Sequence, residues 1–172
     1  MKPLYRARQF CAALTARVTE TDLAEADRHL PPRAQALFRQ MPRDGQAHAL
    51  RVLRELKRTG RTHPALLAAA LLHDVGKSAA RTNPLTRAIF VVLKHWAPAQ
   101  LAQCPATGWR KPLAVLRDHP RLGAKWARVA GCDELTIRLI GRHQEKLEIS
   151  DWGLEREEDR LLRLLQEVDD RT

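Results

Sequence analysis

The chain contains six side chains with the chemistry to hold a metal ion and a spacing that can gather them: His48, His73, Asp74, His119, His143 and Asp169. The densest stretch is Leu71-Leu72-His73-Asp74-Val75-Gly76-Lys77, where a charge-free apolar run from Pro64 to Leu72 ends in an imidazole, a carboxylate, a glycine and a lysine. Burying an imidazole and a carboxylate at the end of such a run is costly, on the order of several kcal/mol, unless they are paired or bound to metal. Taken alone, the dipeptide reads most simply as a helix-end salt bridge. A lone histidine on an apolar face is likewise more often a hydrogen-bonded core residue than a ligand. Six such groups in one small chain, with no other opposite charges to satisfy them, point to a shared site. A mixed imidazole and carboxylate set suits Fe, Mn, Co, Ni, Zn or Mg, one or two ions per chain, with Asp74 able to bridge two. Such ions polarise a phosphoryl group and generate hydroxide near neutral pH.

The elements that must carry these groups read as helices. Residues 3–18 form a first helix, and Thr21-Asp22 caps a second running to about Leu30, where Pro31-Pro32 stops it. Residues 33–40 form a short third. Pro42 opens a helix ending at Gly60, with Ala49, Val52, Leu53 and Leu56 as its apolar stripe, His48 at the stripe's edge and Asp44 one turn before it. Thr62-His63-Pro64 starts an apolar helix that delivers His73 and Asp74 and breaks at Gly76. Residues 85–95 form another helix, followed by a loop-rich stretch to Pro112 and a short helix to Asp118. His119-Pro120 then begins a helix with Leu122, Trp126 and Val129 inward, and Gly123 leaves room beside His119. Asp133 caps a helix that brings His143 to the core, and residues 155–169 end the chain's helices with Asp169, rather than Asp170, on the apolar side. His95 is expected at the edge of the core.

Length and composition agree with an all-α, single-domain helical bundle. The 172 residues allow one well-buried core, the composition is rich in Leu, Ala and Arg, and aromatics are only 5%. Residues 1–41 are expected to be peripheral helices packed on a metal-binding helical domain of residues 42–172. The formal net charge of +10 comes mostly from arginine and favours an acidic or phosphorylated partner. Cys11, Cys104 and Cys132 are odd in number and widely separated, which fits a reducing cytoplasm rather than a disulfide framework. Lys2, Arg6 and Arg8 precede no sustained apolar segment, and the run at residues 88–93 is too short to span a bilayer, so no membrane insertion is expected.

In this order and spacing the residues resemble the HD-domain metal-dependent phosphohydrolase superfamily: a first histidine (His48), a doublet continued as His73-Asp74-Val75-Gly76-Lys77, and a C-terminal aspartate (Asp169). His119-Pro120-Arg121-Leu122-Gly123 and His143-Gln144-Glu145 resemble the extra-histidine subset that includes the HD-GYP phosphodiesterases, over roughly residues 42–170. Two departures stand out: Gln144 replaces a second histidine, and no Gly-Tyr-Pro follows, Asp151-Trp152-Gly153 lying in that region. The resemblance implies that His48, His73, Asp74 and Asp169 hold one ion and that Asp74 bridges to a second held by His119 and His143. It also implies that hydroxide attacks phosphorus in line while Lys77 stabilises the developing charge. Asp44 and Gln144 are candidate ligands or supporting groups, and Arg121, Arg142 and Lys146, which adjoin ligands, are candidate phosphate contacts. The expected substrate is a nucleotide or another small phosphoester. A non-catalytic metal- or nucleotide-binding module and a basic nucleic-acid-binding protein are the alternatives, and the oligomeric state is open.

Overall fold

The computed structural model describes residues 18–147 and 156–172. The helix expected at residues 3–18 and the Asp151-Trp152-Gly153 segment lie outside the described residues, apart from Val18. At the centre is the helix Pro64–Leu72, buried at every position from Ala65 to Leu72. An apolar surface on all sides is stable only when other helices cover it, and they do. In chain order the elements are α1 (Glu20–Asp27), α2 (Pro32–Gln40), α3 (Arg43–Arg58), the central α4 (Pro64–Leu72), a 3-10 turn (Val75–Ala79), α5 (Pro84–Trp96), α6 (Pro98–Ala102), a 3-10 turn (Gly108–Arg110), α7 (Lys111–Val129), α8 (Glu134–Arg142) and α9 (Glu157–Asp169). Among the described residues there is no strand, and the fold is all-α.

Helices α3, α8 and α9 pack on α4 through Leu53, Leu56, Ile137, Ile140, Leu162 and Leu165. Ala26, Leu30, Ala34 and Phe38 of the N-terminal helical region join the same core. Helix α1 is started by Thr19 rather than by Thr21-Asp22: the Thr19 side chain accepts from the Asp22 amide and the Asp22 carboxylate accepts from the Thr19 amide. Arg54 and Lys57 of α3 then clamp α1 by pairing with Asp22 and Glu25.

The largest departure from the sequence reading is α7. Residues 111–129 form one helix with Pro120 inside it, not two helices meeting at Pro120. The inward face is consequently Leu116, His119, Gly123 and Ala127; Leu122 and Trp126 are only partly buried, and Val129 is exposed. Nor does Gly76 break the chain's course by conformational freedom. It sits within the 3-10 turn, where an added Cβ would stand 2.1 Å from the His119 carbonyl oxygen and 2.8 Å from the Gly123 nitrogen. Gly123 answers it from α7, where a Cβ would meet Ile140 at 3.1 Å and Val75 at 3.3 Å. The two glycines let the turn carrying Asp74 touch the backbone of α7, which is a different role for Gly123 from making space for an imidazole.

A candidate dinuclear metal centre

All six chemistry-bearing residues converge. His48 projects from α3 and its Nε2 lies 2.7 Å from Asp169 Oδ1, at the end of α9. His73 closes α4, and its Nε2 is 3.4 Å from the same Asp169 oxygen. His119 Nε2 from α7 and His143 Nε2 from the end of α8 are 3.2 Å apart, and both face Asp74 Oδ1, at 3.3 and 3.8 Å. Two triads result, His48/His73/Asp169 and Asp74/His119/His143. Asp74 turns its other oxygen toward the first of them, 3.7 Å from His73 Nε2.

The hydrogen bonds of the histidines show why a cation fits. Nδ1 of His73, His119 and His143 lies 3.0, 2.8 and 2.8 Å from the carbonyls of Ala70, Leu116 and Ile140 respectively. A carbonyl only accepts, so each Nδ1 carries a proton, and in the neutral imidazole Nε2 presents a lone pair. Those lone pairs point at one another and at carboxylate oxygens. His73 Nε2 is buried without a hydrogen-bond partner. Such a set is stable only around a positive charge, a proton on His73 in the metal-free protein or a divalent ion in its place, and imidazole plus carboxylate is a ligand set for divalent transition ions.

The free carbonyls have two origins. His73 and His143 sit at C-terminal helix ends, where carbonyls of the last turn lack amide partners. His119 lies in mid-helix, where no carbonyl should be free. Pro120 supplies one: it has no N–H, so the Leu116 carbonyl four residues earlier is released to His119 Nδ1. Pro120→Ala returns an amide that competes for Leu116 and loosens the imidazole. Metal affinity at this triad is expected to fall by about 10- to 100-fold, the usual cost of losing such a partner, while circular dichroism shows the helices intact; an unchanged calorimetric affinity would contradict this role.

Electrostatics follow from burial among like and unlike charges. Burial alone lowers the pKa of His73, but the carboxylates of Asp74 and Asp169 reverse this and raise it to about 9. Burial and the neighbouring His73 charge push His143 down to about 3. Against the opposing effect of burial, Lys77 and His73 hold Asp74 well below the carboxylate range, and His73 and His48 do the same for Asp169. With a folded pKa above the ordinary 6.5, His73 contributes stability to the metal-free protein that is fully present below about pH 6.5 and lost as pH rises through about 9. An incoming ion must displace that proton. Metal affinity is therefore expected to rise from pH 6.5 to 9 with proton release, which calorimetric titrations in buffers of different ionisation enthalpy will show as different apparent heats; identical heats would contradict it.

The remaining candidates divide. Lys77 Nζ lies 2.6 Å from Asp74 Oδ2 and lines a cleft of about 390 Å3 that also exposes His48 and Asp169 of one triad and Asp74 and His119 of the other. Asp44 lines the same cleft but pairs with Arg87 at 3.2 Å and belongs to neither triad. The Gln144 amide stands 3.4 Å from His119 Nε2, at the triad's edge. Asp170 lies on the rim, beside the triad residue Asp169. Arg142 has a different occupation from phosphate contact: it is held by Glu145, Glu158 and Asp159, tying α8 to α9. Arg121 is exposed and outside the cleft lining, and Lys146 lines a second, neighbouring cavity. Sequence reasoning passed over Arg51 and Arg87. Arg51 was legible as one turn beyond His48 on the same face; Arg87 reaches the cleft only through the placement of α5.

The sequence model of one family, described as the HD domain, matches residues 46–171. The chain belongs to the HD-domain family, with the match spanning α3 to α9 and both triads. No match was found among curated proteins or among solved structures.

Proposed function

We propose that this protein is a metal-dependent phosphohydrolase acting on a small phosphoester, with a nucleotide as the substrate class that best fits the cleft. The observation that carries the reading is the convergence of two imidazole–carboxylate triads, joined by Asp74, at a cleft lined by His48, His119, Asp74 and Asp169 together with Lys77, Arg51 and Arg87. Its volume of about 390 Å3 is within the range of small-molecule sites. Divalent ions held by the triads, one in each, would supply Lewis acidity toward a phosphoryl oxygen and bring the pKa of water to about 7. Asp74 presents one oxygen to each triad, and Lys77 fixes that carboxylate while keeping Nζ available at the cleft wall for a phosphoryl oxygen. Arg51 makes no ion pair with any described residue and is a second anchor for phosphate. Phe90, Val91 and Leu116 add an apolar surface to the lining, suited to a base or sugar.

Gln144 favours a second reading, a regulatory module that binds metal or nucleotide without hydrolysing it, because an amide occupies the edge of the second triad where an imidazole would add a ligand. A panel of nucleotides and an aryl phosphodiester, incubated with protein loaded with Mn, Fe, Co, Ni, Zn or Mg, separates the two. Hydrolysis lost in Asp74→Ala, with a raised KM in Arg51→Ala, is the expected result. Binding of nucleotide without turnover under every metal would establish the regulatory reading instead.

A further inference from the structure

We propose that α5 docks the protein on anionic phospholipid surfaces. Residues 75–117 contain Lys77, Arg81, Arg87, Lys94, Arg110, Lys111 and Arg117 but no aspartate or glutamate, so most of the chain's excess positive charge is concentrated in this one segment. Helix α5 lies in its middle and has no fully buried residue. Its inward contacts are Phe90 and Leu93, against Leu101, Cys104 and Leu113. On the opposite side Leu85, Ile89, Val92 and Trp96 recur at helical spacing and are all exposed, Leu85 by 68% and Trp96 by 79%. His95, expected at the core edge, is exposed too, with its ring against Trp96. Trp109, on the 3-10 turn of the same segment, is 80% exposed.

Charge selects the occupant of this face. Arg81 and Lys111 are exposed and make no ion pair with any described residue, whereas Lys94 lies a half-turn round α5 from the stripe and lines the second cavity. A second copy docking through the same patch would set these cations against themselves, because a two-fold contact brings identical surfaces together. Nucleic acid would satisfy the cations but leave an aliphatic stripe of Leu85, Ile89 and Val92 facing sugar and phosphate. An anionic bilayer surface satisfies both: phosphate headgroups meet the arginines and lysines, the aliphatic side chains reach hydrocarbon, and tryptophan favours the boundary between them. No helix among the described residues is long and apolar enough to cross a membrane, so the contact is peripheral. Arg87 and Phe90 line the cleft from the other side of the same helix, so the docked face points away from the cleft.

The test is sedimentation of the full chain with vesicles of phosphatidylcholine and with vesicles of phosphatidylcholine mixed with phosphatidylglycerol. The protein is expected to pellet with the mixed vesicles and not with phosphatidylcholine alone, and to be released by high salt. Leu85→Glu with Val92→Glu should weaken this partition by more than about tenfold by removing two aliphatic side chains from hydrocarbon, whereas Val129→Glu, an exposed position on α7, should leave it unchanged. Circular dichroism checks that each variant is folded. Failure to pellet with anionic vesicles, or equal pelleting of the double variant, overturns the proposal. So does a mass that rises with concentration, or a shift of duplex DNA, where the double substitution abolishes that effect and leaves vesicle binding untouched.

Discussion

Asp74→Ala is expected to empty both triads and remove hydrolysis while leaving the helical circular dichroism of the protein in place. The expected loss of metal affinity exceeds the ~10- to 100-fold that follows removal of a mere supporting partner, because this carboxylate has one oxygen 3.3 Å from His119 and the other 3.7 Å from His73. The fold should survive because Asp74 is no part of the apolar core around α4, and Lys77, one-third exposed, can return to water when its partner is gone, limiting the stability lost with the pair. The substitution carries a second signature. His73 loses one of the two carboxylates that hold its proton, so the pH dependence of metal binding should weaken in any affinity that remains. A variant that keeps full metal content would show that Asp74 only pairs with Lys77.

Gly76→Ala should be the most damaging small substitution in the chain. The new methyl would fall 2.1 Å from the His119 carbonyl oxygen and 2.9 Å from its carbon, and neither can rotate away because both are helix backbone. Helix α7 is held close to the turn from the same face, where a Cβ on Gly123 would meet Ile140 at 3.1 Å and Val75 at 3.3 Å. Relief requires the 3-10 turn and α7 to separate, which parts Asp74 from His119. Overpacking of this kind costs about 1–3 kcal/mol or more, and each kcal/mol lowers the melting temperature of a chain of this size by roughly 2–4 °C. Gly141→Ala is the control: its Cβ would make only an ordinary 3.5 Å contact with Ala124, and alanine in a helix should gain about 0.5–1 kcal/mol over glycine. Melting curves showing the two variants alike would contradict the close-approach role of Gly76.

Much of this centre is legible in the sequence because helical spacing tells which face a residue occupies. His73 after an apolar run, His143 following Leu139 and Ile140, and Asp169 rather than Asp170 after Leu165 all end where spacing puts them. Spacing does not say which neighbour a face will meet. Arg142 adjoins a candidate ligand in sequence, yet its side chain finds Glu158 and Asp159 across the helix pair. Pro120 illustrates a different limit. Proline is common at the first position of a helix, so His119-Pro120 reads as a start; the interior placement is sustained by the surrounding packing and puts the released carbonyl to use on His119. Gly76 and Gly123 were visible as glycines, but only the approach of two backbones explains them. The N-terminal helices read as peripheral from their polarity, although a few small and aromatic positions, Ala26, Ala34 and Phe38, are enough to seat them in the common core.

The central claim is that Asp74 joins two separate metal-holding triads, and metal content per chain tests it most directly. Protein loaded with Mn, freed of excess ion and analysed for metal should hold two ions per chain, with His48→Ala and His143→Ala each retaining one. A single ion per chain in the wild-type protein, lost in both variants alike, would contradict the account and reduce the six residues to one mononuclear site.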